Sequence, residues 1–143
     1  MNLESILIKY PISGEFTFGV NESLILKCNA PNNHSGIYLI YIGDELIYIG
    51  SSGRKINNEL VGRKTGLGGM KDRIVNGYHP KFGKISRKKA FPNQMVIEGI
   101  RLLNFKWYVT YDFKNCFDFP TDIELKLMNI YKNKYNSKPI WHK

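Results

Sequence analysis

Apolar and polar positions alternate cleanly from Phe105 to Phe113, where Phe105, Trp107, Val109 and Tyr111 are set against Lys106, Tyr108, Thr110 and Asp112. That period of two predicts a half-buried strand. Gly36 to Gly50 is apolar except around Gly43-Asp44-Glu45, which predicts a β-hairpin turning at Gly43-Asp44. Upstream, "LESILIKY" (3–10) and "ESLILKCN" (22–29) read as short strands flanking a glycine-rich turn region. "SSGRKINNELVGRKTGLGG" (51–69) is polar and glycine-rich, hence a loop. In "GGMKDRIVNGYH", Met70, Ile74 and Tyr78 fall on one side of a short helix, with Gly77 as its C-terminal stop. "HPKFGKISRKKAF" is basic and irregular, and Pro92 opens a helix through "PNQMVIEGIRLLN". The strongest helix is "PTDIELKLMNIYKNKY" (120–135), after which "NSKPIWHK" closes the sequence. Strands, then helices, then a strand and a helix make an α+β domain.

Composition narrows the class. The 143 residues are 43% hydrophobic and 23% charged, which suits one globular domain with a sizeable core. No internal repeat, low-complexity tract or membrane-length apolar run occurs, and "MNLESILIKYPISGE" has no signal-peptide pattern. A cytoplasmic protein with no membrane association is the expectation. Cys28 and Cys116 are isolated, and His34, His79 and His142 are scattered. That spacing speaks against a structural zinc site and favours two buried free thiols. The net charge is +9, with 21 Lys+Arg against 12 Asp+Glu. It is localised: Arg54 to Lys89 holds 11 basic and 2 acidic residues, leaving 10 of each elsewhere. A balanced domain carrying one basic segment has the footprint of a polyanion-binding protein. Arg54, Lys55, Arg63, Lys64, Lys71, Arg87, Lys88 and Lys89 are its candidate DNA contacts.

Three further features admit two readings each. Along the last helix Ile123, Leu127 and Ile130 form one apolar row, with Glu124, Met128, Tyr131 and Tyr135 adjoining it. Glu124, the acid of that second row, is either the end of a Thr121-x-x-Glu124 capping box or a metal ligand; the helix alone favours the cap. Arg73, beside Ile74, either lies along the surface or reaches a phosphate with both guanidinium arms. "GLGG" (66–69) precedes the same helix and has amides to offer a phosphate, without the Lys-Ser/Thr of a nucleotide-binding loop.

The joint order is more telling than any one feature. Gly36-Ile37-Tyr38, nine residues, Tyr48-Ile49-Gly50, an arginine-bearing basic helix, a strand and then a helix with Glu124 together resemble the GIY-YIG nuclease superfamily. The resemblance runs from about Gly36 to His142. It implies a small antiparallel sheet flanked by helices in the order hairpin, two helices, strand, helix, the order read above from pattern. Residues 35–143 are then the nuclease domain, and residues 1–34 an extension of extra strands packed on it. By resemblance Tyr38 and Tyr48 match the two family tyrosines, Arg73 the arginine and Glu124 the metal-binding glutamate. Tyr41-Ile42-Gly43 stands too close to Tyr38 to be the second triplet. The spacing of nine is slightly short for the family. The helper one helical turn after the arginine falls on Gly77, leaving Tyr78 or His79, and His142 stands where an asparagine is common.

The implied activity is a Mg²⁺-dependent DNA endonuclease, with Mn²⁺ as a substitute. The absence of a separate recognition domain points to a restriction or phage-type enzyme cutting double-stranded DNA, as a dimer or tetramer. A non-catalytic nucleic-acid-binding module and a structure-specific repair nuclease are the alternatives. Phosphodiester hydrolysis needs an activated water, neutralised phosphate charge and help for the leaving oxygen. Tyr38 is the candidate general base, Arg73 the charge stabiliser, and Tyr48 a hydrogen-bonding partner of Tyr38 or the water. A shared site constrains the hairpin. A tight turn at Gly43-Asp44 with a regular ladder pairs Tyr38 with Ile49 and puts the tyrosines on opposite faces. An odd loop or a single bulge pairs Tyr38 with Gly50 and Ile40 with Tyr48, on one face. The odd register is the expectation, with Gly50 leaving room for a phosphate to approach the backbone.

Overall fold

The computed structural model describes residues 2–61 and 69–142. In chain order the N-terminal half contains α1 (Leu3–Leu7), β1 (Ser13–Gly19), α2 (Leu24–Lys27), β2 (Ser35–Ile42), β3 (Glu45–Ser51), β4 (Arg54–Ile56) and β5 (Glu59–Val61). There follow α3 (Met70–Asn76), β6 (Tyr78–His79), β7 (Gly83–Ser86), α4 (Arg87–Glu98), β8 (Leu102–Tyr111) and α5 (Pro120–Tyr135). Four strands form an antiparallel sheet in the order β1-β8-β2-β3. The architecture is α+β, an antiparallel sheet flanked by helices.

The alternating strand is its axis. β8 pairs with β1 on one side and β2 on the other, and Leu103, Phe105, Trp107 and Val109 point into one core. That core also holds Tyr38, Ile40, Met70, Ile74, Phe91 and Met95, so α3 and α4 cover this face. The opposite face buries Ile37, Leu39 and Ile49 against Ile123 and Leu127 of α5 and Leu7 of α1. Among the described residues no helix is long and apolar enough to cross a membrane. Both thiols are free, with Cys28 buried and Cys116 half-buried.

Three segments differ from the sequence-based expectation. The two N-terminal stretches read as strands form short helices, and the glycine-rich region between them is the strand β1. Phe16 and Phe18 turn inward while Glu15 and Thr17 face out, a true period of two that the flanking glycines conceal. Gly14 serves packing and not a turn, because a Cβ there would overlap the Trp107 indole. The helices begin at polar caps, where Asn2 Oδ1 accepts from Ser5 N–H and Ser23 Oγ from Leu26 N–H. The loop read over 51–69 contains the ribbon β4-β5, turned at Asn57-Asn58 with φ of 51° and 62°, values asparagine tolerates. The basic stretch 79–91 forms the ribbon β6-β7 and the start of α4. That helix begins at Arg87, and Pro92 lies inside it. The lost N–H there is one bond, outweighed by the buried stripe Arg87, Ala90, Phe91 and Met95.

Candidate active site

The hairpin brings its two tyrosines together by a bulge. The turn is tight, with Ile42 opposite Glu45 and Gly43 at a φ of +58°. After Tyr41 pairs with Leu46 the register shifts, and Ile47 is the extra residue. Ile40 then faces Tyr48 and Tyr38 faces Gly50, the register a shared site requires. Ile47 and Tyr48 both enter the core beneath α3 and α4, and the Tyr38 and Tyr48 ring centroids lie 6.1 Å apart. The space over Gly50 is filled by protein: a Cβ there would overlap the Tyr38 ring. The glycine makes room for the phenol and not for a phosphate, correcting the expectation. Gly36 is likewise steric, since a Cβ would overlap the Tyr108 carbonyl where β2 meets β8. Its N–H donates to Ser52 Oγ at 3.1 Å.

Arg87 occupies the centre of this cluster. Its side chain is 0% exposed, with the guanidinium carbon 5.5 Å from the Tyr38 ring centre and 5.8 Å from that of Tyr48. Nη1 donates to the Arg73 carbonyl at 2.8 Å and Nη2 to the Tyr48 hydroxyl at 3.4 Å. One residue thereby ties the end of α3 to β3. The sequence reading placed Arg87 on a DNA-binding surface, and its burial overturns that. The missed signal was its spacing from Ala90, Phe91 and Met95, which places it on the apolar stripe once the helix starts at residue 87.

Two histidines close the site around Tyr48, each 4.5 Å from its ring. His79 is buried in β6, and its Nδ1 accepts the Lys81 N–H at 3.1 Å. Its neighbour Tyr78 is exposed, so of the two helper candidates only His79 reaches the tyrosines. His142 comes from the closing segment, which runs beside the sheet's edge strand β3. Trp141 N–H donates to the Ile47 carbonyl at 2.9 Å, and Ile49 N–H donates to His142 Nε2 at 3.0 Å. Burial, then the Arg87 charge, pushes His79 down to about 3. Burial, then Lys138, pushes His142 down to about 4. Both imidazoles are neutral at pH 7. Tyr48 is raised above the ordinary phenol value, first by burial, then by Tyr38, with Arg87 opposing and Glu124 adding to the rise. It is a phenol and a hydrogen-bonding group at neutral pH.

Arg73 and Glu124 complete the set. Arg73 packs beside Gly77, where a Cβ would approach its Nη1 to 2.7 Å, and its charge acts on Tyr48 and His79. Helix α3 does stop at Gly77, with an extended φ of −68° and no left-handed cap. Thr121 is the second residue of α5, while the N-cap is Phe119 with no side-chain cap bond. Thr121 is therefore not the cap of this helix, and the charge of the half-buried Glu124 adds a minor part to the rise of Tyr48. Among the described residues, Tyr38 hydroxyl, His79 Nε2, Arg73 Nε and Arg87 Nε are buried with no hydrogen-bond partner. Buried polar atoms are almost always paired, and these four lie on the residues gathered around the two tyrosines.

The remaining candidates separate. Arg63, Lys64 and Gly66 to Gly68 lie outside the described residues, as does the side chain of Lys55. Gly69 abuts the Asn32 backbone, and the first amides of α3 are taken, Met70 N–H by the His34 carbonyl and Lys71 N–H by that of Pro31. Those amides are not open to a phosphate. Lys89 is exposed, Lys71 and Arg54 are half-exposed, and Lys88 donates to Asn76 Oδ1 at 3.1 Å. Comparison of the chain with protein-family models, curated proteins and solved structures yields no match.

Proposed function

We propose that this chain is a metal-dependent endonuclease of the GIY-YIG type that hydrolyses phosphodiester bonds in double-stranded DNA, in the manner of a restriction or phage-type enzyme. The observation that carries the reading is the single cluster of Tyr38, Tyr48, Arg73, Arg87 and His79. Arg73 supplies positive charge for a phosphate and for the charge that builds in its transition state, and the buried Arg87 holds Arg73 and Tyr48 in place. Tyr38 orients the attacking water and takes its proton, and protonated Tyr48 holds a hydrogen bond to the same water or to Tyr38. The neutral histidines exclude solvent and fix the Tyr48 ring.

Among the described residues no group of three His, Cys, Asp or Glu gathers. Mg²⁺ keeps several waters and takes one or two carboxylates plus phosphate oxygens; Glu124 would hold it. When bound, the ion neutralises phosphate charge and stabilises the leaving oxygen. Both tyrosine rings are buried, which disfavours a module that stacks them on bases. One site cuts one strand, so double-strand cleavage calls for a dimer, a tetramer or sequential nicking.

A supercoiled plasmid incubated with Mg²⁺ tests the reading. The wild-type protein is expected to nick or linearise it. Glu124→Gln is expected to bind and melt like wild type while losing cleavage by about a hundredfold or more. A Glu124→Gln protein that cuts at the wild-type rate removes Glu124 from the site, and an inert wild type removes the nuclease. Faster cutting of branched than linear DNA would assign the repair role instead.

A further inference from the structure

Four described residues other than glycine have a left-handed backbone, and three are asparagines, the residue that best tolerates it. The fourth is Phe113, with φ of +62°. Its ring does not offset that strain by burial, being 66% exposed, and Phe117 is 57% exposed. The loop that carries them is firmly built. Asp112 Oδ1 accepts from the N–H groups of Lys114, Asn115 and Cys116 at 2.8–2.9 Å. Asp112 N–H donates to the Cys116 carbonyl and Asp118 N–H to that of Thr110, each at 3.0 Å. Asp118 is pinned by Lys9 Nζ and the Tyr10 hydroxyl, both at 2.7 Å. The Tyr111 ring stands edge-on beneath both phenylalanines, with centroids 4.8 Å and 5.7 Å away. Strain held by so many bonds, for two rings left in water, is the pattern of a functional element.

Its place in the fold identifies what it meets. Tyr111 pairs with Ser35, three residues before Tyr38 and so about 10 Å from it along the strand. The loop runs directly into α5, whose second turn holds Glu124. Both loop carboxylates are occupied by the bonds above, while Lys114 is exposed. The charges at the loop balance, Asp112 and Asp118 against Lys114 and the Lys9 bonded to Asp118, and its flat apolar rings match a base step. Aromatic wedges enter duplexes in this way, unstacking one step to bend the DNA. We propose that Phe113 and Phe117 form a wedge that inserts into duplex DNA beside the phosphate to be cut. The wedge rests on the nuclease reading given above.

The test uses full-length protein with Ca²⁺ in place of Mg²⁺ to block cleavage, and duplexes carrying 2-aminopurine at successive positions. Binding of wild type is expected to raise fluorescence at one or two adjacent positions, reporting unstacking. Phe113→Gly and Phe113→Asn suit the left-handed backbone, so each is expected to melt at or above the wild-type temperature. Each is also expected to bind about ten- to a hundredfold more weakly and to lose the fluorescence rise. Variants that keep wild-type affinity and fluorescence overturn the wedge and leave the nuclease standing. A wild type that binds no duplex overturns both. Binding to phosphatidylglycerol vesicles that Phe113→Gly abolishes, with DNA binding unchanged, assigns the loop to a lipid surface and overturns the proposal.

Discussion

At the scale of single residues, the glycine and the tyrosine of the hairpin are one steric unit. Tyr38 packs where a Cβ of residue 50 would lie, so Gly50→Ala forces the ring or the strand aside. Overpacking of this kind costs about 1–3 kcal/mol. A urea-unfolding cycle of wild type, Gly50→Ala, Tyr38→Leu and the double variant is expected to show coupling of about 1 kcal/mol or more, because the shorter leucine side chain removes the overlap. Strict additivity would mean that Gly50 is needed for its backbone and not for the ring. Arg87 shows the converse. Its type and neighbours resemble those of surface lysines in "SRKKAF", yet it is fully buried between the two tyrosines.

At the scale of elements, α4 turns one basic run to two uses. Arg87 faces inward, while Lys88 is half-buried and Lys89 exposed. Lys88→Gln with Lys89→Gln is therefore expected to weaken DNA binding while leaving the fold intact. Binding measured at several salt concentrations is expected to lose about 0.9 in slope for each phosphate contact removed. An unchanged slope would move the DNA elsewhere. The same element shows where the sequence was legible. The alternating strand and the last helix could be read because one face of each is buried, which imposes a period, and the hairpin, buried on both faces, because its apolar run breaks only at the turn. The start of α4 was hidden by Pro92, whose usual place is a first turn. The N-terminal segments were hidden by shortness: α1 and α2 have 5 and 4 residues, too few to display a helical period. Of the candidate site, Tyr38, Tyr48, Arg73 and Glu124 carried the resemblance, and His79 and His142 were among the named helpers. Arg87 carried no motif, and only the correct helix start would have turned it inward.

At the scale of the whole molecule, the site makes folding sensitive to acid. Burial above all holds His79 near 3 and His142 near 4, against an ordinary 6.5. Below pH 6.5 the unfolded chain takes protons that the folded one refuses. Their contribution is thus intact above that value and lost as pH falls toward 4 and then 3. Asp112 is held near 2 by three backbone N–H groups, and at Asp118 the effect of burial is outweighed by Lys9 and Tyr10. These two carboxylates add their losses only below the ordinary 3.8. Melting temperature is expected to fall between pH 6.5 and 4 in the wild type and to stay flatter in His79→Phe with His142→Asn. Parallel curves would assign the acid loss to other groups. The bulge at Ile47 bears on how such a chain can diverge. The hairpin holds one residue more than its ladder needs, so a descendant that lost Ile47 would close a regular ladder with Tyr38 still opposite Gly50. One that gained a residue in the turn while keeping the bulge would preserve that pairing too. Length between the tyrosines can therefore drift while their facing is inherited, and descent in this hairpin is recorded in which residues oppose each other, not in how many separate them.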